Sequence, residues 1–309
     1  HVDHGKSTLV GRLMSDTGSL PDGKLDFVKD ICKRQGKKFE FAFLLDALEE
    51  EQDQGITIDT SQIFFNTKKR RYVIIDAPGH KEFLKNMVTG AANAESALLL
   101  IDAHEGIQEQ SRRHGYILKL LGLSQVAVVI NKMDLVNYDP EVYYKIKSEY
   151  TKFLSSMGIN AREFIPVSAK LGVNIANPSE EISWYKGPSI LGMLDQFSEK
   201  QPPIHLPFRF PVQDVYKFDE RRIISGRVES GTVKVGDQIV FSPSNKVGVV
   251  NSIEAWSVEN QPIEAKASES IGFTLDEQIF VERGDVATLK SDLPIVSTTF
   301  DVNVFWMGK

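Results

Sequence analysis

Cysteine is nearly missing from this chain: Cys32 is the single thiol among 309 residues. An intramolecular disulfide is therefore excluded, and cysteine usage of this kind fits a cytoplasmic protein. Histidine is sparse as well, and neither His104 nor His114 has a Cys or His partner at metal-ligand spacing, so a zinc site has no support. No apolar run reaches the ~20 residues needed to cross a bilayer, and no signal peptide is visible. An excess of basic charge is also lacking. With 36 Lys and Arg against 42 Asp and Glu, the formal net charge is -6, which argues against a surface that is basic throughout. The one dense basic run, Lys68-Lys69-Arg70-Arg71, lies between two apolar stretches and reads as a solvated hairpin turn. A last absence is a single glycine. Gly5-Lys6-Ser7 closes the pattern G-x-x-x-x-G-K-[ST], whose opening glycine would stand just before His1. The expectation is a piece of a longer protein, with the strand that feeds this loop lying before His1.

What remains is ordinary globular material, 41% hydrophobic and 25% charged, long enough for two domains of ~100–200 residues. Short apolar runs alternate with helical stretches up to about Phe197. Tyr72–Ile75, Ala97–Ile101, Val126–Ile130 and Phe164–Val167 have the unbroken apolar character of parallel strands covered on both faces. Ser111–Leu121 and Pro140–Met157 carry helical spacing. This order predicts a doubly wound α/β sheet that is mostly parallel, with its ligand site at the carboxyl ends of the strands. After the stiff Gln201-Pro202-Pro203 linker the pattern changes to closely spaced strands punctuated by glycine, which predicts a small all-β barrel. Thr232–Phe241 reads as strand, Gly-Asp turn, strand. The expected division is 1–200 for the α/β domain, 205–290 for the barrel, and 291–309 for the start of a third barrel domain.

Five motifs stand in order along the α/β region, and each suits a different part of a nucleotide. In His1-Val2-Asp3-His4-Gly5-Lys6-Ser7, Gly5 lets backbone amides approach phosphate and a helix N-terminus follows, forming an anion cradle. Lys6 adds positive charge at the β- and γ-phosphates. The Ser7 hydroxyl suits Mg2+, a hard ion that prefers oxygen. In Gly55-Ile56-Thr57-Ile58, the Thr57 hydroxyl completes the Mg2+ shell in the triphosphate state and leaves when the γ-phosphate is lost, an order–disorder switch. In Asp76-Ala77-Pro78-Gly79-His80, a carboxylate closes a buried strand and needs a partner; Mg2+ supplies one. Gly79 offers its amide to the γ-phosphate, and His80 is the candidate for positioning the attacking water, where other GTPases use Gln. In Asn131-Lys132-Met133-Asp134, the Asp134 carboxylate accepts from guanine N1–H and the exocyclic amine, a donor pair adenine lacks. Such a polar contact can discriminate by ~10⁴-fold or more. Asn131 holds N7 and braces the loop, the Lys132 stem lies along the ring, and in Ser168-Ala169-Lys170 the Ala169 amide meets O6. Arg112-Arg113-His114 reads as an exposed helix face.

On these motifs the chain resembles the translation-factor superfamily of GTPases. Phe41–Leu48, the segment leading through Gln54 to Asp59, Gln110–Ile117, Phe210–Val215 and Phe305-Trp306-Met307 are similar to one branch of it, the GTPase subunit (subunit 1) of bacterial sulfate adenylyltransferase. The resemblance implies GTP and Mg2+ as cofactors, phosphate contacts from His1, Val2, Asp3, His4, Gly5, Lys6, Ser7, Thr8 and Gly79, and metal ligation by Ser7, Thr57 and Asp76. It also implies guanine contacts from Asn131, Lys132, Asp134, Ser168, Ala169 and Lys170, with His80 catalytic. The partner it implies is a catalytic ATP-sulfurylase subunit that makes adenosine 5′-phosphosulfate from ATP and sulfate. The phosphate loop departs from that branch: His1-Val2-Asp3-His4 stands where the branch has Asn-Val-Asp-Asp, as in elongation factors. Trp184-Tyr185-Lys186-Gly187-Pro188 also occurs in elongation factor 1-alpha. The alternative is therefore a translational GTPase that delivers aminoacyl-tRNA.

Overall fold

The computed structural model of the protein describes residues 4–45, 61–67, 69–76, 94–199, 201–217, 221–302 and 304. Two compact units, His1–Glu199 and Lys200–Lys309, divide just before the Gln201-Pro202-Pro203 linker.

The first unit opens with helix α1 (Lys6–Asp16), which buries Leu9, Val10, Leu13 and Met14 on one face and stops where the Thr17 hydroxyl turns back to the Leu13 carbonyl at 2.8 Å. Helix α2 (Lys24–Arg34) is largely solvated and buries only Cys32. A 3-10 turn, Phe41–Leu44, follows; Leu44 is buried and the Phe41 ring sits under the Arg12 guanidinium of α1 at 4.9 Å. Strands β1 (Ser61–Asn66) and β2 (Arg71–Asp76) form an antiparallel hairpin, with Ser61 opposite Asp76 and Asn66 opposite Arg71. The parallel reading of Tyr72–Ile75 is corrected here. Its partner among the described residues is antiparallel and Val73 is 52% exposed, because only one face of the hairpin meets the core. Of the basic run, Lys69 and Arg70 lie in the connection between the two strands and Arg71 opens β2, while Lys68 lies outside the described residues. The connection is anchored: Arg70 donates to the Phe197 carbonyl at 2.8 Å and Lys69 pairs with Asp195 at 3.3 Å.

The parallel sheet is β3 (Ser96–Asp102), β4 (Gln125–Asn131) and β5 (Phe164–Pro166), in that order, with Asp102 in register with Asn131. Among the described residues, helices α3 (Glu109–Leu120), α4 (Pro140–Ser156) and α5 (Ile190–Leu194) accompany this sheet. β4 is buried along Val126–Asn131, and its side chains alternate between two cores. Val126, Val128 and Ile130 pack with Tyr143, Ile146, Tyr150 and Leu154 of α4, while Ala127 and Val129 pack with Leu9 and Leu13 of α1. Each of these large side chains contributes ~1.5–3 kcal/mol by leaving water. That two-sided covering explains the unbroken apolar runs in the sequence. α4 begins on Asp139, whose carboxylate accepts from the Glu141 amide at 2.8 Å, with Pro140 at the first position. On α3, Ser111, Gly115, Ile117 and Leu118 are buried, while Tyr116 and Leu120 are exposed. Gly115 is the reason, since it is the point at which α3 closes on Phe153, Leu154 and Met157.

The second unit is a closed antiparallel barrel in the order β10-β12-β7-β6-β13-β9, built from β6 (Phe210–Lys217), β7 (Arg222–Arg227), β9 (Gln238–Ser242), β10 (Lys246–Glu254), β12 (Ser270–Leu275) and β13 (Val286–Leu289). Phe210, Phe241, Phe273, Val250 and Ile253 fill it; closure leaves these strands without a free edge. Thr232–Phe241 is not a simple hairpin. β8 (Thr232–Lys234) pairs with β11 (Glu264–Lys266), whereas β9 joins the barrel. The protein is therefore an α/β domain followed by an all-β barrel.

Candidate functional site

The carboxyl ends of β3, β4 and β5 bring Asp102, Asn131 and the Ser168 turn to one edge of the sheet, where α1 begins. Gly5 caps α1 in the left-handed region (φ 82°, ψ 35°). A Cβ there would lie 2.6 Å from Asn131 Nδ2, so glycine is needed for backbone conformation and for space.

Asn131 is the hub. Its Nδ2 donates to the His4 carbonyl at 2.8 Å and its Oδ1 accepts from the Ala169 amide at 3.0 Å, all buried. One side chain thus ties three of the sequence motifs together. The Ala169 amide, read as a contact for a base oxygen, is here donated to Asn131. Ser168 is fully buried and shapes the turn: its Oγ accepts from Leu171 N at 3.3 Å and its backbone bridges to Val173. Lys170 is exposed and its carbonyl faces Arg12 at 3.5 Å.

The loop after β4 is held in unusual backbone. Lys132, Asn137 and Tyr138 all have positive φ, at 61°, 52° and 56°, each costing ~1–3 kcal/mol outside glycine. Buried Met133 anchors the loop, with its amide on the Val167 carbonyl at 3.1 Å and its carbonyl accepting from Tyr138 N at 2.8 Å. Trp184 Nε1 donates to the Tyr138 carbonyl at 3.0 Å. The result presents Asp134 at half-burial, its carboxylate without a hydrogen-bond donor among the described residues. Burial, with the Asp134 charge nearby, pushes the Tyr138 hydroxyl above its usual range.

At the phosphate end, the Ser7 hydroxyl donates to Asp76 Oδ2 at 3.3 Å, and Asp76 is buried. Two of the three residues read as metal ligands are therefore adjacent. They offer only oxygen, and no cluster of three or more His, Cys, Asp or Glu occurs among the described residues. That donor set fits Mg2+, which is held by one or two protein oxygens and completes its shell with water and phosphate. His4 is fully buried, its Nδ1 on the Leu100 carbonyl at 3.1 Å and its Nε2 on Glu105 at 3.3 Å; its ring forms a wall behind the loop. His1, Val2, Asp3, Thr57, Gly79 and His80 lie outside the described residues.

Sequence reasoning missed Asp102. It is 2% exposed and meets Lys132 Nζ at 2.7 Å. Burial would push its carboxyl up, but Lys132 and the His104 and Glu105 amides together hold it below the usual aspartate range. The available signal was an apolar run ending in a carboxylate, the same pattern that drew attention to Asp76.

A family model described as the elongation factor Tu GTP binding domain matches residues 1–202. Among curated proteins, elongation factor 1-alpha of Pyrococcus horikoshii is 40% identical over 311 residues, covering 97% of this chain and 72% of that protein. Elongation factor 1-alpha of Saccharolobus solfataricus is 41% identical over 319 residues, covering 98% and 73%. A solved bacterial selenocysteine-specific elongation factor is 28% identical with a TM-score of 0.53, covering 94% of this chain and 44% of that one. These relatives overturn the sulfate adenylyltransferase reading and, with it, the catalytic ATP-sulfurylase partner. The physical reason is visible in the segments that suggested that branch. Phe41 packs under Arg12 of α1, and Phe210 and Val212 lie in the barrel core, so these residues serve internal packing; residues 46–48, 54–59 and 305–307 lie outside the described residues.

Proposed function

The chain belongs to the elongation factor Tu family of GTP-binding translation factors, and from that premise we propose that it is a GTPase of the elongation factor 1-alpha type, which carries aminoacyl-tRNA in its GTP state. The observation that carries this reading is the 40% identity to elongation factor 1-alpha over 97% of the chain. No helix among the described residues is long and apolar enough to cross a membrane, which is in keeping with a tRNA carrier.

GTP with Mg2+ is the ligand of this family. In the proposed site, backbone amides from Gly5 to Thr8 and the α1 N-terminus bind the phosphates, with Lys6 supplying charge. Ser7, Asp76 and Thr57 would hold Mg2+, which would neutralise charge on the phosphate oxygens. Asp134 accepts from guanine, and Lys132 lies along its ring. Asn131 acts chiefly as the brace between loops, with one N–H left for the base. His80 positions the water that attacks the γ-phosphorus. The bond to the β–γ bridging oxygen breaks, giving GDP and inorganic phosphate. Isolated hydrolysis is expected to be slow, ~10⁻⁴ s⁻¹ as for other unstimulated members of the fold, rising by ~10³–10⁵ when a partner completes the site.

The test is protection of the aminoacyl ester. Charged tRNA is incubated with full-length protein and either GDP or a non-hydrolysable GTP analogue, at rising salt. Deacylation should slow only with the GTP analogue, and the protection should weaken as salt rises. Equal deacylation rates in both nucleotide states would remove the carrier role.

A further inference from the structure

The turn after β3 touches both halves of the nucleotide site, yet no motif includes it. Asp102 Oδ1 accepts from the His104 amide at 2.8 Å and the Glu105 amide at 3.3 Å, which closes the turn; the Gly106 amide then donates to the Asp102 carbonyl at 2.9 Å. The other carboxylate oxygen, Oδ2, pairs with Lys132 Nζ at 2.7 Å. From the same turn, Glu105 Oε2 meets His4 Nε2 at 3.3 Å. His4 in turn accepts from Asn131 through its carbonyl. A closed circuit results: base loop to Asp102, Asp102 turn to Glu105, Glu105 to phosphate loop, and phosphate loop back to base loop through Asn131.

We propose that Asp102 is a positioning residue for guanine nucleotide, acting through Lys132. The inference rests on the guanine-site reading above and deepens it. Lys132 occupies a left-handed backbone position and its side chain is partly exposed. An untethered lysine there would sample many rotamers, and fixing it on binding would cost side-chain entropy. The buried carboxylate removes that freedom beforehand. It fixes the nitrogen at the far end of the stem, so the methylenes are set in place to cover a base. The charge of Lys132 is spent on Asp102, which leaves the stem as an apolar surface.

The experiment is stopped-flow release of a fluorescent GDP analogue from full-length protein in Mg2+. Asp102→Asn keeps the side-chain volume and the Oδ1 acceptor but removes the charge that holds Lys132. Its expected effect is a rise of about ten- to hundredfold in the dissociation rate, with the association rate nearly unchanged, as expected for loss of one charge-assisted contact. Lys132→Met keeps a stem and loses the tether, and the double variant Asp102→Asn/Lys132→Met should release GDP no faster than the faster single variant. Asp102→Glu should recover part of the slow release. A merely structural Asp102 would lower the thermal midpoint but would not couple to Lys132. Multiplicative effects in the double variant, or an unchanged release rate in Asp102→Asn, would overturn the proposal. If the parent protein itself binds no GDP, the guanine-site reading fails first, and the two failures are distinguishable.

Discussion

Replacing Gly5 by alanine tests the geometry of the site most directly. The residue sits at φ 82°, and a left-handed backbone costs an L-residue ~1–2 kcal/mol. The larger effect is steric. The new Cβ would fall 2.6 Å from Asn131 Nδ2, closer than two such atoms can approach, so Asn131 must move. Moving it breaks the bonds to His4 O and Ala169 N, both buried, at ~1 kcal/mol or more each. The sum is about 3–5 kcal/mol against the organised site, equivalent to a loss of GDP affinity of ~10²–10⁴. Calorimetry of GDP with Mg2+ on full-length protein measures this. Gly36→Ala is the control: Gly36 also has positive φ (69°), but its Cβ would meet nothing within 4 Å. It should leave GDP affinity unchanged and lower the thermal midpoint only slightly. If Gly5→Ala bound GDP within about threefold of the parent, the Asn131 brace would not be what organises the site.

Asp134→Asn should shift preference from guanine to xanthine nucleotides, read by competition binding; unchanged guanine selectivity would refute the assignment of Asp134. Ser7→Ala should weaken GDP binding in Mg2+ but not in EDTA; equal losses in both conditions would detach Ser7 from the metal. Trp184→Phe removes the donor to Tyr138 O and should cost ~1 kcal/mol of stability by urea titration, with faster hydrogen exchange in the loop 132–138. Asp102 has a carboxyl held below its unfolded range, so its stabilisation is present above the unfolded pKa and fades as pH falls through the lower folded value. Asp102→Asn should therefore flatten the loss of stability on acidification, and an unchanged acid limb would show that the Lys132 pair contributes nothing.

The motifs were legible because phosphate and guanine chemistry restricts which residues can serve. The β4 strand was legible because covering on both faces demands an unbroken apolar run. The face of α3 was not, since Tyr116 and Leu120 match helical spacing as well as the buried residues do, and only the approach of Gly115 to α4 decides between them. β8 and β9 read as a hairpin because the Gly236-Asp237 turn is local information, whereas β8 pairs with a strand thirty or so residues onward. The short segments that suggested a sulfate-pathway role did not decide the branch; similarity along nearly the whole chain to elongation factor 1-alpha did.

The order and chemistry of the nucleotide motifs, the α/β-then-barrel plan and the exclusion of disulfides were properties of the linear chain, because each depends on residue type and near spacing. The tertiary structure alone decided what the site residues hold: Asn131 joining His4 to Ala169, Asp102 gripping Lys132, and Ser7 beside Asp76. Those contacts span from 30 to well over 100 residues of sequence; the parallel register of β3, β4 and β5 brings Asp102, Asn131 and Ala169 to one edge, and the end of β2 brings Asp76 to Ser7.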